Sequence, residues 1–187
     1  MRALVAIALA LAAPCVLAAD LGVTGLFEKL AQRKPSRATF VEKKYLSLLD
    51  KPVESRGELA FTPPGHLEKR TIAPRPERVV VDGDRITLER GGKRYSMGLH
   101  DQPGVAVLVE SIRATLAGDL QGLTRTYSAN VAGDDAHWKL TLRPLDPAVS
   151  SLVERIVIAG EGSRVATVEI FQVDGDRSVM TLTEAGG

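Results

Sequence analysis

From Arg37 onward, apolar and polar positions alternate in short runs broken by Gly, Pro and Asp, which is the period of strands with one dry and one wet face. In Glu58-Leu59-Ala60-Phe61-Thr62 the apolar Leu59 and Phe61 share a side, and Trp138, Leu140 and Leu142 do the same in the run that begins at Trp138. Such runs predict strands over 38–48, 53–62, 66–73, 77–81, 85–90 and 93–98, then over 125–132, 136–143, 154–159, 164–173 and 177–183. The gaps between them have hairpin length, so the strands should form an antiparallel meander without helical crossovers.

Two stretches switch to a helical period. Leu26-Phe27-Glu28-Lys29-Leu30-Ala31 predicts a helix over 23–34, capped by Thr24 and ended by Pro35. Between the two strand sets, Val105, Leu108, Val109, Ile112 and Leu116 recur at intervals of three and four, with Glu110, Ser111 and Arg113 on the outer side and Gly118 as a stop. A brief helical turn is expected over 147–153. The fold class is mainly β (α+β): an open antiparallel sheet of about eleven strands whose apolar face is covered by two or three helices. With so little helix, and with aromatic residues at only 4%, the concave side is either a cavity under the helices or an ordinary core of Val, Leu and Ile. Periodicity leaves both open.

Met1-Arg2, the apolar run from Ala3 to Leu11 and the small residues of Val16-Leu17-Ala18-Ala19 have the pattern of a secretory signal peptide over 1–19. The run is too short for a membrane anchor. Cys15, the single cysteine, lies within it and follows Pro14 rather than the small residue that a lipid-attachment site wants. Cleavage after Ala19 would leave one domain, 20–187, with 23 basic and 23 acidic side chains and no thiol. That balance argues against a nucleic-acid binder. A soluble, exported, monomeric protein is expected.

The pentapeptide Val81-Asp82-Gly83-Asp84-Arg85 returns as Val173-Asp174-Gly175-Asp176-Arg177. Two carboxylates per copy are too few for calcium, which takes six to eight oxygens; Asp-Gly between apolar β runs reads instead as a hairpin turn. His66 and His137 read as strand residues and His100 as a loop residue, none at zinc-site spacing. No Ser stands in a Gly-x-Ser-x-Gly elbow, and Gly91-Gly92-Lys93 lacks the full phosphate-loop spacing. Neither a catalytic residue, a metal nor a cofactor is expected.

Gly57-Glu58-Leu59-Ala60-Phe61-Thr62-Pro63-Pro64, the later Pro76-Glu77-Arg78-Val79-Val80-Val81-Asp82-Gly83 and the strand start Ala38-Thr39-Phe40 resemble the LolA family of periplasmic lipoprotein carriers. The resemblance implies an open β half-barrel that holds acyl chains between inner and outer membrane, receiving them from an inner-membrane donor and passing them to an outer-membrane acceptor. Carriers of this family typically have Arg-Pro after the Gly-acidic-Leu strand; here Pro63 stands at that Arg, and Leu67-Glu68-Lys69 replaces the aromatic pair that follows. These departures, with Leu116-Ala117-Gly118-Asp119-Leu120, look like a LolA-related branch found beside fatty-acid and aryl-polyene biosynthesis genes, which implies an acyl or polyene lipid as cargo in place of a lipoprotein.

The expected lipid-binding residues are Phe40, Leu59, Phe61, Leu67, Trp138, Leu140 and Leu142 on the strands, with Val105, Leu108, Val109, Ile112 and Leu116 on a lid helix. Two other readings remain beside the carrier: a module that senses envelope lipid or protein and signals to a partner, and a lipid hydrolase.

Overall fold

The first helix begins without the cap that the sequence suggested. In the computed structural model, which describes residues 21–101 and 103–184, α1 (Val23–Ala31) starts from an extended Gly22 with no side-chain cap, and Thr24 lies inside its first turn. Leu26, Phe27 and Leu30 form its buried stripe. It stops before Lys34, where the backbone N–H groups of Gln32 and Arg33 turn back onto the carbonyls of Lys29 and Leu30. The expected signal peptide, Cys15 included, lies outside the described residues.

The strands are β1 (Ser36–Tyr45), β2 (Val53–Thr62), β3 (His66–Ala73), β4 (Glu77–Asp82), β5 (Arg85–Arg90), β6 (Lys93–Gly98), β7 (Tyr127–Gly133), β8 (Trp138–Pro144), β9 (Val153–Glu161), β10 (Arg164–Gln172) and β11 (Arg177–Glu184). They form one open, 11-stranded antiparallel sheet in the order β6-β5-β4-β3-β2-β1-β11-β10-β9-β8-β7. Each half is the meander that the short gaps predicted. The halves meet where β1 pairs with β11, with Phe40 opposite Leu182. The chain then passes from one sheet edge to the other through a 3-10 turn (Leu99–Asp101), α2 (Pro103–Ala117) and α3 (Leu120–Thr124).

Residues 120–124 are an unexpected helix, the turn expected over 147–153 is present but stops at Ser150, and β1 is shorter than expected. Residues 120–124 are helical because the Asp119 carboxylate accepts the N–H of Gly122 at 2.8 Å, an N-cap bond. α4 (Pro147–Ser150) is similarly capped by Asp146, with Pro147 in its first turn. β1 ends at Tyr45, and Leu48 stands 95% exposed in the loop that follows.

The repeated pentapeptide makes two different turns. In the first copy Asp82 pairs with Arg85, so Gly83 and Asp84 alone form the loop. In the second, pairing resumes only at Phe171 and Arg177. There Asp176 accepts the N–H of Ser47 at 2.8 Å, tying this loop to the one after β1. Both glycines have positive φ, 56° at Gly83 and 91° at Gly175, a conformation that favours glycine.

Packing on the concave face divides into two clusters. The larger one joins Leu26, Phe27 and Leu30 of α1 to Leu123, Tyr127, Trp138, Leu140, Leu142, Ile156 and Ile158. The smaller holds Val81, Leu99 and Ala106, flanked by Leu67, Ile86 and Val109.

Candidate functional site: an apolar cavity under α2

Strand alternation puts Ala38 of β1 opposite Leu59 of β2, and Phe61 of β2 opposite Leu67 of β3, which in turn faces Val81 of β4. These side chains share the concave face. Ile158, Val165, Val168, Met180 and Leu182 continue the apolar floor on β9, β10 and β11, while Val109, Ile112, Thr115 and Leu116 of α2 form a roof. The partly open space between them is about 230 Å³. It lies between the two packed clusters, where neither α1 nor the 3-10 turn reaches down to fill the floor.

The twelve sequence candidates fall in different places. Leu59, Phe61, Leu67, Val109, Ile112 and Leu116 line the cavity. Trp138, Leu140 and Leu142 are buried in the larger cluster, because α1 and Leu123 occupy the concavity over β8 and β9. Leu108 packs against the same cluster. Phe40 lies under the Lys69 side chain, whose Nζ is 4.9 Å from the ring centroid, and Val105 is 41% exposed.

α2 is rotated relative to its apolar stripe. Ser111 and Thr115 are among its most buried side chains, although Ser111 was expected on the outer side. Each hydroxyl bonds a carbonyl of its own helix, Ser111 to Leu108 at 2.8 Å and Thr115 to Ser111 at 2.7 Å. Self-satisfied hydroxyls pack like small apolar groups, so a stripe of large apolar letters misses them. Arg113, expected on the outer face, instead donates to the carbonyl of Gly83 at 2.9 Å, joining α2 to the tip of the β4–β5 hairpin. Tyr127, from the other half of the sheet, donates its hydroxyl to the carbonyl of Val107 at 3.1 Å. Burial pushes the Tyr127 phenol up to about 12.

Two polar groups flank the cavity. Lys69 lines it and places Nζ 2.6 Å from Glu42, whose carboxylate also accepts from Ser178 at 2.8 Å. Burial alone would raise the Glu42 carboxyl, but the charge and hydrogen bond of Lys69, then Lys44 and Ser178, outweigh it and hold the group below its ordinary value. Arg33, Ser36 and Glu184 also line the cavity, with Arg33 paired to Glu184 and bonded to Ser36 at 3.1 Å. Parity contained a signal for the first group: Glu42 lies two positions after Phe40 and Lys69 two after Leu67, both on inward-facing sites. For Arg33 the signal was helical: it stands three positions after Leu30, on the apolar side of the helix expected over 23–34, although the structure leaves it outside any strand or helix.

The histidines are dispersed. His66 is 3.7 Å from Asp82 and His100 is 3.3 Å from Asp84, while His137 sits in the turn before β8 and not in the strand. Among the described residues no three His, Cys, Asp or Glu side chains come together as metal ligands.

A family model described as "Outer membrane lipoprotein carrier protein LolA-like" matches residues 12–186. Comparison with curated proteins finds no match. Among solved structures, a DUF1329 family protein of Desulfovibrio piger superposes with a TM-score of 0.50 at 10% identity, over 86% of this chain and 88% of that one. A LolA superfamily protein of Nitrosomonas europaea gives 0.45 at 10% identity, over 87% and 91%. A chain of the Pseudomonas aeruginosa MucA/MucB complex gives 0.48 at 14%, and this chain spans 88% of its own length and 58% of that one's. At such identities the likeness is one of fold.

Proposed function

This chain belongs to the LolA-like family of outer membrane lipoprotein carriers, and from that premise we propose that it carries acyl chains of a lipoprotein or related lipid between the two membranes of a Gram-negative envelope, without a catalytic step. The observation that supports this reading is the apolar cavity of about 230 Å³ between α2 and the sheet. Each methylene buried there contributes about 0.8 kcal/mol, so a chain of roughly sixteen carbons gains about 13 kcal/mol over exposure to water. Unaided transfer through water is correspondingly slow, and a carrier is needed. Ordinary ligand sites begin near ~300 Å³, so a long acyl chain needs α2 to move outward as it enters. The roof then acts as a lid. Among the described residues no helix is long and apolar enough to cross a membrane, which fits a part that moves between membranes.

Cargo follows from what co-purifies. Mass spectrometry of the protein taken from its native envelope should find triacylated lipoprotein if the family's role is kept, or a free acyl or polyene lipid if the divergent branch applies. Ile112→Asp, which puts a charge in the roof, should weaken binding of a fluorescent acyl probe at least about tenfold. Val105→Asp, at an exposed site on the same helix, should change it less than about twofold. Equal losses would remove α2 as the roof, and a protein that yields no lipid and binds no acyl probe would remove the carrier reading.

A further inference from the structure

We propose that one end of the sheet, formed by the β1–β2, β8–β9 and β10–β11 connections together with the basic strip of the outer face beside them, docks on the surface of a membrane leaflet that contains anionic phospholipid. This surface lies outside the cavity, so the inference goes beyond the acyl-carrier reading and does not rest on it.

Exposed apolar side chains are concentrated at that end. Among the described residues, five of the eleven large apolar side chains left exposed belong to these three connections: Leu48, Leu49, Leu145, Leu152 and Val173, with Leu48 the most exposed of all. Scattered singly, such residues need no explanation; gathered at one end, they mark a contact surface. The strand order sets the connections side by side, and they are bonded to one another. Ser47 donates its N–H to Asp176 at 2.8 Å, and Val173 donates its N–H to the carbonyl of Leu152 at 3.1 Å. The tips therefore form one platform.

The outer face beside the platform is cationic. Arg155, Phe171, Arg177 and Tyr45 stand opposite one another across β9, β10, β11 and β1, on the side away from Ile156 and Ile170, which belong to the larger packed cluster. The Arg155 guanidinium carbon is 3.7 Å from the centre of the Phe171 ring, and that of Arg177 is 5.0 Å from the centre of the Tyr45 ring, so the aromatic faces hold both cations in this row. Lys139 and Arg143 share a shallow depression with Arg155 and Phe171, in which Glu169 is the only carboxylate. Arg155 pairs with Glu154, whereas Lys139, Arg143 and Arg177 have no ion-pair partner among the described residues. The aspartates of the platform are turned to backbone N–H groups: Asp146 caps α4, Asp174 accepts from Asp176, and Asp176 accepts from Ser47.

Shape and charge together select a lipid surface. Leucine tips that project singly need a medium that closes around each of them, as the boundary between headgroups and acyl chains does; a protein partner would need a separate pocket for each. Protein interfaces draw most of their affinity from Trp, Tyr and Arg in desolvated pockets, with Leu and Val under-represented. The adjoining cations answer anionic headgroups, whose field fades within a Debye length, and they stand next to the tips that would touch the surface.

The test floats the protein, purified from its native envelope, with vesicles of phosphatidylglycerol and phosphatidylcholine in equal parts and with vesicles of phosphatidylcholine alone. Binding to the mixed vesicles should be at least about tenfold tighter and should weaken with added salt. Leu48→Glu should lower it about tenfold, and Lys139→Gln combined with Arg143→Gln about fivefold, with the circular dichroism spectrum and acyl-probe binding unchanged in both. Leu48→Trp supplies a local reporter, because the only tryptophan of the chain, Trp138, is buried. Its emission should move to the blue on mixed vesicles and be quenched by brominated lipid, and Val105→Trp on α2 should show neither effect. Absence of flotation, equal binding to both vesicles, or equal responses of Leu48→Trp and Val105→Trp overturns the docking surface and leaves the carrier reading standing. A concentration-dependent dimer that Leu48→Glu disperses, in a protein that does not float, overturns it in favour of a second copy of the chain. Flotation that persists in a protein unable to bind an acyl probe overturns the carrier reading alone.

Discussion

Phe40 and Trp138 each lie opposite a glycine in the sheet, Phe40 facing Gly57 and Trp138 facing Gly160. A Cβ on Gly57 would sit 2.9 Å from Phe40 Cε1 and 1.9 Å from the Arg70 carbonyl; on Gly160 it would sit 2.6 Å from Trp138 Cζ2 and 1.9 Å from the Arg164 carbonyl. Each ring occupies the space its glycine leaves, and the backbone on the other side cannot withdraw. Gly57→Ala should therefore destabilise by about 2–4 kcal/mol in urea unfolding, although the change adds only one methyl. Glu42 supplies a pH signature. Its folded value is depressed, so its contribution is present above its ordinary value of 4.5 and is lost as pH falls below that. At pH 6 Glu42→Gln should cost about 1–3 kcal/mol, discounted because Lys69 is partly exposed. Urea unfolding of the two proteins should converge as the pH drops progressively below 4.5. A gap that stays constant would show that the carboxylate charge contributes nothing.

At the scale of elements, α2 is the part that links structure to the proposed transport. Its C-terminal stop, Gly118, has φ 68° and lies so close to α1 that a Cβ would fall 2.5 Å from the Phe27 carbonyl, which pins that end. Arg113 and Tyr127 tie its middle to opposite halves of the sheet. Removing one such bond costs about 1 kcal/mol. Arg113→Ala should thus leave the circular dichroism spectrum intact while raising amide exchange of α2 and the release rate of an acyl probe by about fivefold. Unchanged release would mean that the Gly83 contact plays no part in holding the roof. The three-and-four spacing from Val105 to Leu116 placed this helix correctly in the chain, but not its rotation. Ser111, Thr115 and Arg113 take their roles from partners, two on the helix itself and one at a hairpin tip, and letters alone give no hydroxyl or guanidinium a direction.

For the whole molecule, the β1–β11 seam decides whether a cavity exists. It sets the floor contributed by β1 to β4 beside that contributed by β9 to β11, so the walls of one site come from both ends of the chain. A ligand held there binds only the assembled sheet. Acyl ligand at about a hundred times its dissociation constant should therefore raise unfolding free energy by about 2.7 kcal/mol, read as an upward shift in Tm. A ligand that binds without raising Tm would place its site on the surface or on a partly folded state.

Strand positions, turn sites and the apolar face of each strand were determined by the sequence itself, because alternation and the preference of glycine for positive φ act within a few residues. Even there the limit shows: the same five letters form a two-residue loop after β4 and a wider one after β10, where Ser47 reaches in from a distant loop. Which apolar residues bound open space was decided by the tertiary structure alone. Trp138 and Leu59 share the same period and the same face, yet α1 covers the first and only α2 passes over the second. That difference depends on contacts across more than a hundred residues of chain, and no local pattern of apolar and polar positions encodes the distance between a helix and the sheet beneath it.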